Sequence, residues 1–486
     1  MHLKGLLASL ASLPLIKGET VLGVFIFHRH GDRTPKSHTP VNMTALGARQ
    51  VFESGNYYRN RYVASDSSTP IFGLSRDIAV TDQMDVTSPV DTVLQNSAQA
   101  FLQGLYPPIG SLSEQRLAND SSVEAPLGGY QYIPVNSVST ASSNANSENN
   151  EWLQGGSGCG NAMASSNSYF ASSEYHETLE DTRSFYSDLL PVINGTFTPE
   201  QANYKNAYVI FDLINVATIH NTSIPSSDFL TDDTLRQLQV LANIHQWNLA
   251  YNSTDTIRAI AGSVLAAQIV QHLNGTLTGQ SPTLLGIQFG AYASFMSFFG
   301  LAQLQAVSPD FMGIVDYASS MVFELVTNAT ASGWAYPSPD DVSVRFLFAN
   351  GTAGESPLTA YPLFGQSEIT LPWATFASEM SKFALGDTAA WCIACGNTTG
   401  VCANFAPKSS GGADAGAAST SDKGIPTPVA GVIGALVTLV AILGLEVLAY
   451  ALSGLRLVKK STLLNANSAA SGAGIMGKAN LAQQTS

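Results

Sequence analysis

The chain has 486 residues, of which 45% are hydrophobic and only 12% charged, and its formal net charge is −14. That length holds two or three domains, or one large domain with an insertion, and the apolar fraction suffices for a sizeable core. The acidic balance argues against a nucleic-acid backbone as partner, yet leaves room for a few focused arginines to hold a phosphate.

The first residues read as a signal peptide over 1–18: Lys4 gives a short positive start, Leu6 to Ile16 is apolar, and Ala8, Ala11 and Ser12 are small. Thr20 to Phe27 then reads as a buried strand. It runs straight into Arg29-His30-Gly31-Asp32-Arg33-Thr34-Pro35. A strand that ends in a histidine bracketed by two arginines puts an imidazole nucleophile inside a cationic cradle, which suits phosphoryl chemistry. Side chains alternate along a strand, so His28 falls on the other face and reads as structural.

Further along, Ala98 to Leu105 reads as a helix that stops at Gly104-Leu105-Tyr106-Pro107-Pro108. Ser137 to Gly160 is rich in Ser, Asn and Gly and reads as an exposed loop. Ser184 to Ile193, Tyr208 to Ala217, Asp232 to Tyr251 and Thr256 to Leu273 carry helical spacing. Thr283 to Phe289 reads as a strand leading into an apolar helix, Tyr292 to Leu304, and Met321 to Thr327 and Ser343 to Phe348 read as strands. Strands this far from the first imply an α/β sheet with a mainly helical insertion, roughly 106–255.

Residues 406–428 form a Ser/Gly/Ala/Pro linker, and 429–455 an apolar span broken by Glu446. Arg456, Lys459 and Lys460 follow at once, which predicts a transmembrane helix with a cytosolic tail, 456–486. A lipid-anchor signal fits less well, because such signals end in the apolar run. Glu446 reads as a carboxylate snorkelling toward the interface. With nine N-x-S/T sequons, none beyond Asn397, the expectation is a single-pass type I glycoprotein of the secretory pathway. Its ectodomain would face away from the cytosol, at the plasma membrane or in a vacuolar or other endomembrane.

Four cysteines, Cys159, Cys392, Cys395 and Cys402, suggest two disulfides with three possible connectivities. Cys392-x-x-Cys395 also has the form of half a zinc site or a redox motif, but no second pair completes a tetrahedral set. No metal or cofactor is expected.

The run Arg29 to Pro35 completes the pattern R-H-G-x-R-x-P and resembles the histidine acid phosphatases, branch 2 of the phosphoglycerate mutase-like superfamily. Ser97-Ala98 to Pro108, Ile257-Arg258 to Gly262, and Tyr317-Ala318-Ser319 to Glu324-Leu325 resemble later segments of that family in the same order. The cysteines from Cys392 to Cys402 are similar to the C-terminal disulfide region of its fungal-type members. The resemblance covers roughly 19–405 and implies a central sheet flanked by helices with a helical cap. It implies His30 as a nucleophile carrying a phosphohistidine, and Arg29 and Arg33 as phosphate ligands. Asp32 falls at a variable position of the motif.

Two pieces implied by the resemblance are missing. Val93 stands where a third arginine belongs, and no arginine lies between Arg76 and Arg116. After the strand at Thr283 to Phe289 the family places a histidine and an acid. Here Gly290, Ala291 and Tyr292 follow, with no His, Asp or Glu from Ser281 to Pro309, and only Gln288 and Tyr292 offer a donor. The expected function is therefore phosphomonoester hydrolysis of weakened activity. The alternative is an inactive pseudophosphatase that binds a phosphorylated small molecule or phosphoprotein.

Overall fold

The computed structural model describes residues 18–138, 158–220, 227–331 and 337–405. The expected signal peptide (but for Gly18), linker, transmembrane span and cytosolic tail, and most of the Ser/Asn/Gly loop, lie outside the described residues. Among those described, no helix is long and apolar enough to cross a membrane.

The N-terminal part alternates strand and helix: β1 (Thr20–Arg29), α1 (Ala45–Tyr58), β2 (Met84–Pro89) and α2 (Thr92–Leu105). A small hairpin, β3 (Gln115–Arg116) and β4 (Ser122–Val123), a single turn α3 (Pro126–Gly129), and β5 (Asn136–Val138) follow. Next come α4 (Gly160–Ser168), α5 (Ser173–Asp181), α6 (Arg183–Asp188), α7 (Leu190–Ile193), α8 (Ala207–Ile219) and α9 (Asp232–Ala250). The chain then returns through α10 (Ile260–Thr278), β6 (Leu285–Gly290), α11 (Tyr292–Leu301), β7 (Ser320–Thr327) and β8 (Val342–Ala349). It closes with β9 (Thr359–Ala360), β10 (Thr370–Pro372), α12 (Trp373–Ser381) and α13 (Thr388–Cys395).

The sheet has the order β10-β8-β7-β1-β6-β2-β5, with β9 against β8. β1, β6, β2 and β5 are mutually parallel, while β7, β8 and β10 extend the sheet antiparallel. β1 is central and buried on both faces, which is why TVLGVFIFHR reads as one apolar run. Phe25 and Phe27 face a core with α10 and α11, whereas Val24 and Ile26 face one with α1 and α2. Helices α5 to α9 bury a third cluster around Tyr186, Tyr204, Ile210 and Leu238.

Within 106–255 the helices α4 to α9 predominate, while β3 and β4 pair with each other and β5 joins the main sheet beside β2. Pro107 and Pro108 follow the end of α2, and a proline cannot continue a helix. Strand β2, unnoticed in the sequence, lies next to β6, because Asp85 and Thr87 interrupt the apolar pattern.

The cysteines pair Cys159–Cys395 and Cys392–Cys402, and none is free. Together with Trp391, Ile260 and Val264 they form a small apolar cluster that ties the start of α4 to α13. This pairing excludes the zinc and redox readings of Cys392-x-x-Cys395.

Candidate active site

The motif residues emerge at the C-terminal end of β1. Its parallel neighbour β6 ends in step with it, Arg29 pairing with Gly290. Parallel strands that end together open a crevice beyond their carboxyl ends, the common place for a ligand in α/β sheets. The turn after β1 is held from two sides. The Ala318 N–H donates to the His30 carbonyl at 3.0 Å, and the Arg29 N–H to the Ser319 carbonyl at 2.8 Å. From α2, Ser97 accepts the Gly31 N–H at 3.1 Å and donates to the Val93 carbonyl at 2.7 Å.

Gly31 meets the first turn of α1 backbone to backbone. A Cβ on Gly31 would lie 2.2 Å from the Gly47 carbonyl oxygen, and one on Gly47 2.0 Å from that of Asp32. No side chain fits there, so α1, capped by Thr44 on the Gly47 N–H at 3.0 Å, is locked against the His30 turn.

His30 is buried, and its Nδ1 lies 2.8 Å from the Gly31 carbonyl oxygen. A carbonyl only accepts, so Nδ1 carries the proton and Nε2 keeps its lone pair. Burial, then Arg29, Arg33 and Lys36, hold its pKa well below the usual 6.5. The shift favours the neutral imidazole, the form in which Nε2 keeps its lone pair.

Arg29 and Arg33 flank it. Arg33 is fully buried, and Asp212 of α8 takes both of its terminal nitrogens, at 2.8 and 3.1 Å. The Tyr208 hydroxyl lies 3.2 Å from Arg33 Nη2. Burial pulls the Arg33 pKa down, but Tyr208, Tyr317 and Asp212 outweigh it and keep the guanidinium charged. Arg29 donates to the Val315 carbonyl and stacks over the Tyr317 ring at 4.4 Å. The Nε atoms of both arginines are buried without an acceptor among the described residues. Two fixed guanidiniums with donors to spare, beside a neutral imidazole, form a site for a tetrahedral anion.

The remaining motif positions have other duties. Asp32 is fully buried, accepts from the Thr44 hydroxyl, and meets His220 Nε2 at the end of α8 at 2.6 Å. His28 has its Nδ1 2.6 Å from the Arg29 carbonyl, packs against Phe101 and Phe289, and is pushed down by burial to about 4. Its place in the core is the structural one expected.

The other sequence-derived positions divide clearly. Val93 is buried in the first turn of α2, one turn from Ser97, and carries no charge. Arg76 donates to the Ser65 carbonyl and lines a hollow with Glu19 and Thr20, at the opposite end of β1, so it does not replace the missing arginine. Gly290 and Ala291 contribute no acid or base at the end of β6. Tyr292 is 7% exposed, 4.9 Å from the Tyr208 ring, with Arg29 5.5 Å above its own. Its hydroxyl donates to Gln246 Oε1 at 2.8 Å. Gln288 lines a separate small cavity with His272 and Asp85.

Sequence reading missed Tyr208 and Asp212, which come from α8, and Asp316, which precedes β7. A lone carboxylate inside the apolar run of α8, four residues after a tyrosine, was the available signal, since such a group needs a buried partner. These residues line a cleft of about 660 Å³ together with Arg29 and Tyr317. It shares Gln239, Val315, Asp316 and Asn350 with a neighbouring hollow of about 870 Å³. Among the described residues no cluster of His, Cys, Asp and Glu has the form of a metal site.

A buried histidine flanked by two arginines, at the carboxyl end of a parallel strand pair, is a cationic site on an α/β fold that suits an anion. Residues 38–349, well over half of the chain, match the model of the histidine phosphatase superfamily (branch 2), and the chain belongs to that family. The match begins just beyond the Arg29 to Pro35 motif, so motif and family model are separate indications. The chain is 24% identical over 384 residues to the prostatic acid phosphatase of Bos taurus, covering 76% of this chain and 84% of that protein. It is also 24% identical over 392 residues to the lysosomal acid phosphatase of Xenopus laevis, covering 77% of each. Among solved structures, the Hafnia alvei phytase in complex with tartrate superposes with a TM-score of 0.50 at 14% identity, over 78% of this chain and 98% of that one. The Citrobacter braakii phytase gives 0.50 at 15% identity, over 78% and 100%. These structures share the mixed α/β fold.

Proposed function

We propose that the protein is a phosphatase that hydrolyses small phosphate monoesters through a phosphohistidine on His30, with reduced power toward poor leaving groups. The observation that carries this is the neutral His30, its Nε2 lone pair available, between two guanidiniums that each keep an unused Nε–H. Nε2 attacks phosphorus, the ester oxygen leaves, and Arg29 and Arg33 hold the equatorial oxygens. Water then attacks the phosphohistidine and releases orthophosphate.

Loss of the third arginine and of the acid after β6 sets the weakness. A phosphate-binding donor contributes on the order of 10²- to 10³-fold, and a placed general acid roughly 10²- to 10⁴-fold. Beside Arg236 the cleft also carries Asp232 and Glu355, which disfavour polyanionic substrates and leave small monophosphates as the class that fits.

The same gaps at Val93, Ala291 and Tyr292 favour a second reading, a pseudophosphatase that binds a phosphorylated ligand or phosphoprotein without turnover. The full-length protein and its His30→Ala variant, assayed with an aryl phosphate, separate the two. His30-dependent release supports the enzyme. Equal rates, with phosphate binding retained, support the pseudoenzyme.

We also propose that the protein is a type I membrane glycoprotein with this site outside the cytosol. Two disulfides and the absence of burial at every described sequon asparagine support that placement.

A further inference from the structure

A phosphate ester with an alkyl leaving group expels a strongly basic oxygen, so turnover needs a proton donor beside it. The end of β6 supplies none, and the cleft holds several carboxyl groups that differ in freedom. Asp212 is committed to Arg33 and to the Lys36 N–H at 2.7 Å. Asp232 opens α9, on the cap side of the cleft. Asp316 stands between two residues that touch the phosphate cradle itself. Val315 accepts from Arg29, and the Tyr317 ring lies 4.4 Å from the Arg29 guanidinium and 5.7 Å from the His30 ring.

We propose that Asp316 is the proton donor to the leaving oxygen, in place of the acid absent after β6. This rests on the phosphatase reading above. The backbone around Asp316 is fixed. Asn350 Oδ1 accepts its N–H at 2.9 Å, the Ser319 N–H and hydroxyl both donate to its carbonyl, and the Ala318 N–H binds the His30 carbonyl. None of those bonds uses the carboxyl group, and Asp316 lines the cleft that holds Arg29. Asp316 is exposed to the solvent of the cleft, yet crowding of its carboxyl group by the protein around it outweighs the pull of Arg29 and raises its pKa above the usual carboxylate value. The charged groups that share its cleft are Arg29, Asp212, Asp232, Arg236 and Glu355.

The step balances. As the His30 Nε2–P bond forms and the P–O bond to the alcohol breaks, the Asp316 proton moves to the departing oxygen. The resulting carboxylate takes a proton from the water that attacks the phosphohistidine, so orthophosphate leaves and both residues return to their starting forms.

The test compares full-length wild type, Asp316→Asn, Asp316→Glu, Asp232→Asn and His30→Ala on p-nitrophenyl phosphate and on β-glycerophosphate. The nitrophenolate leaves readily, whereas the glycerol oxygen needs a proton. Asp316→Asn is expected to lower kcat on β-glycerophosphate by on the order of 10²- to 10⁴-fold, and on p-nitrophenyl phosphate by roughly tenfold at most. Asp316→Glu is expected to regain part of the alkyl activity, and Asp232→Asn to keep the wild-type ratio between the two substrates. An equal loss on both substrates, or none on either, overturns the assignment while leaving the phosphatase reading intact. Wild-type rates no higher than those of His30→Ala overturn both.

Discussion

Asp212 grips both terminal nitrogens of Arg33, from a position 179 residues further along the chain. It is the contact by which the helical cap sets one wall of the phosphate cradle, and it is repeated nearby by His220 on Asp32. Both acidic–basic pairs reach from α8 to the turn after β1. The cap therefore helps to build the site as well as cover it.

Removing Asp212 should leave a fully buried Arg33 without a counter-charge. Breaking such a pair costs about 3–5 kcal/mol. Asp212→Ala is expected to lower Tm by several degrees, and millimolar orthophosphate to recover more of that loss than it adds to the wild type, because the anion replaces the missing charge. Thermal unfolding of both proteins with and without phosphate checks this. An equal phosphate response in the two would show that the Arg33 side of the cradle does not meet the anion.

Glu324 on β7 carries a second buried ionic cluster. It is fully buried, binds Arg61 at 2.8 Å and the Tyr62 hydroxyl at 2.6 Å, and takes Arg345 Nε at 2.8 Å. Burial would raise its pKa, but Arg61, Tyr62 and Arg345 outweigh that and hold it below the usual value. Glu324→Ala takes the counter-charge from Arg61 and leaves Arg345 only Glu19, at 2.8 Å, and should cost about 3 kcal/mol in a denaturant titration. Glu324 lies within β7, away from the residues of the cleft, so kcat of the folded fraction should change little.

His272 predicts how stability depends on pH. Burial pushes its pKa down to about 4, against 6.5 in the unfolded chain. Above 6.5 neither state is protonated and nothing is lost. As pH falls from 6.5 toward 4 the unfolded chain takes a proton that the fold refuses, so stability drops by roughly 1.4 kcal/mol per pH unit for this residue. His28 and His245, both near 4, act in the same sense. Urea midpoints at pH 7 and pH 5 should differ less in His272→Gln than in the wild type.

The two disulfides should differ in value. Cys159–Cys395 closes 236 residues and Cys392–Cys402 only 10. In the chain-entropy model their loss costs about 5 and about 3 kcal/mol respectively. Paired Cys→Ser variants compared by denaturant titration should follow that order.

Much of the architecture could be read from the chain because its signals are local. Thr20 to Phe27, Thr283 to Phe289 and Met321 to Thr327 are apolar runs of strand length, and each is a strand within a residue or two at either end. The helices α8, α9 and α10 likewise show their apolar spacing. β2 and β5 escaped notice because an edge region alternates weakly and carries polar residues such as Asp85 and Asn136.

Arg29, His30 and Arg33 were legible as a group because they lie within five residues at the end of one strand. The absence of a third arginine and of an acid after β6 was likewise legible from local sequence. What supports and completes the cradle was not. Asp212, Tyr208, Tyr317 and Asp316 come from distant segments, and pairing order, cap placement and the loop before β7 bring them together. The identity of the candidate nucleophile thus resides in a short run of residues. The ionisation of His30, the pairing of Arg33 with Asp212 and the surroundings of Asp316 depend on burial and long-range charge, which exist only once the chain has folded.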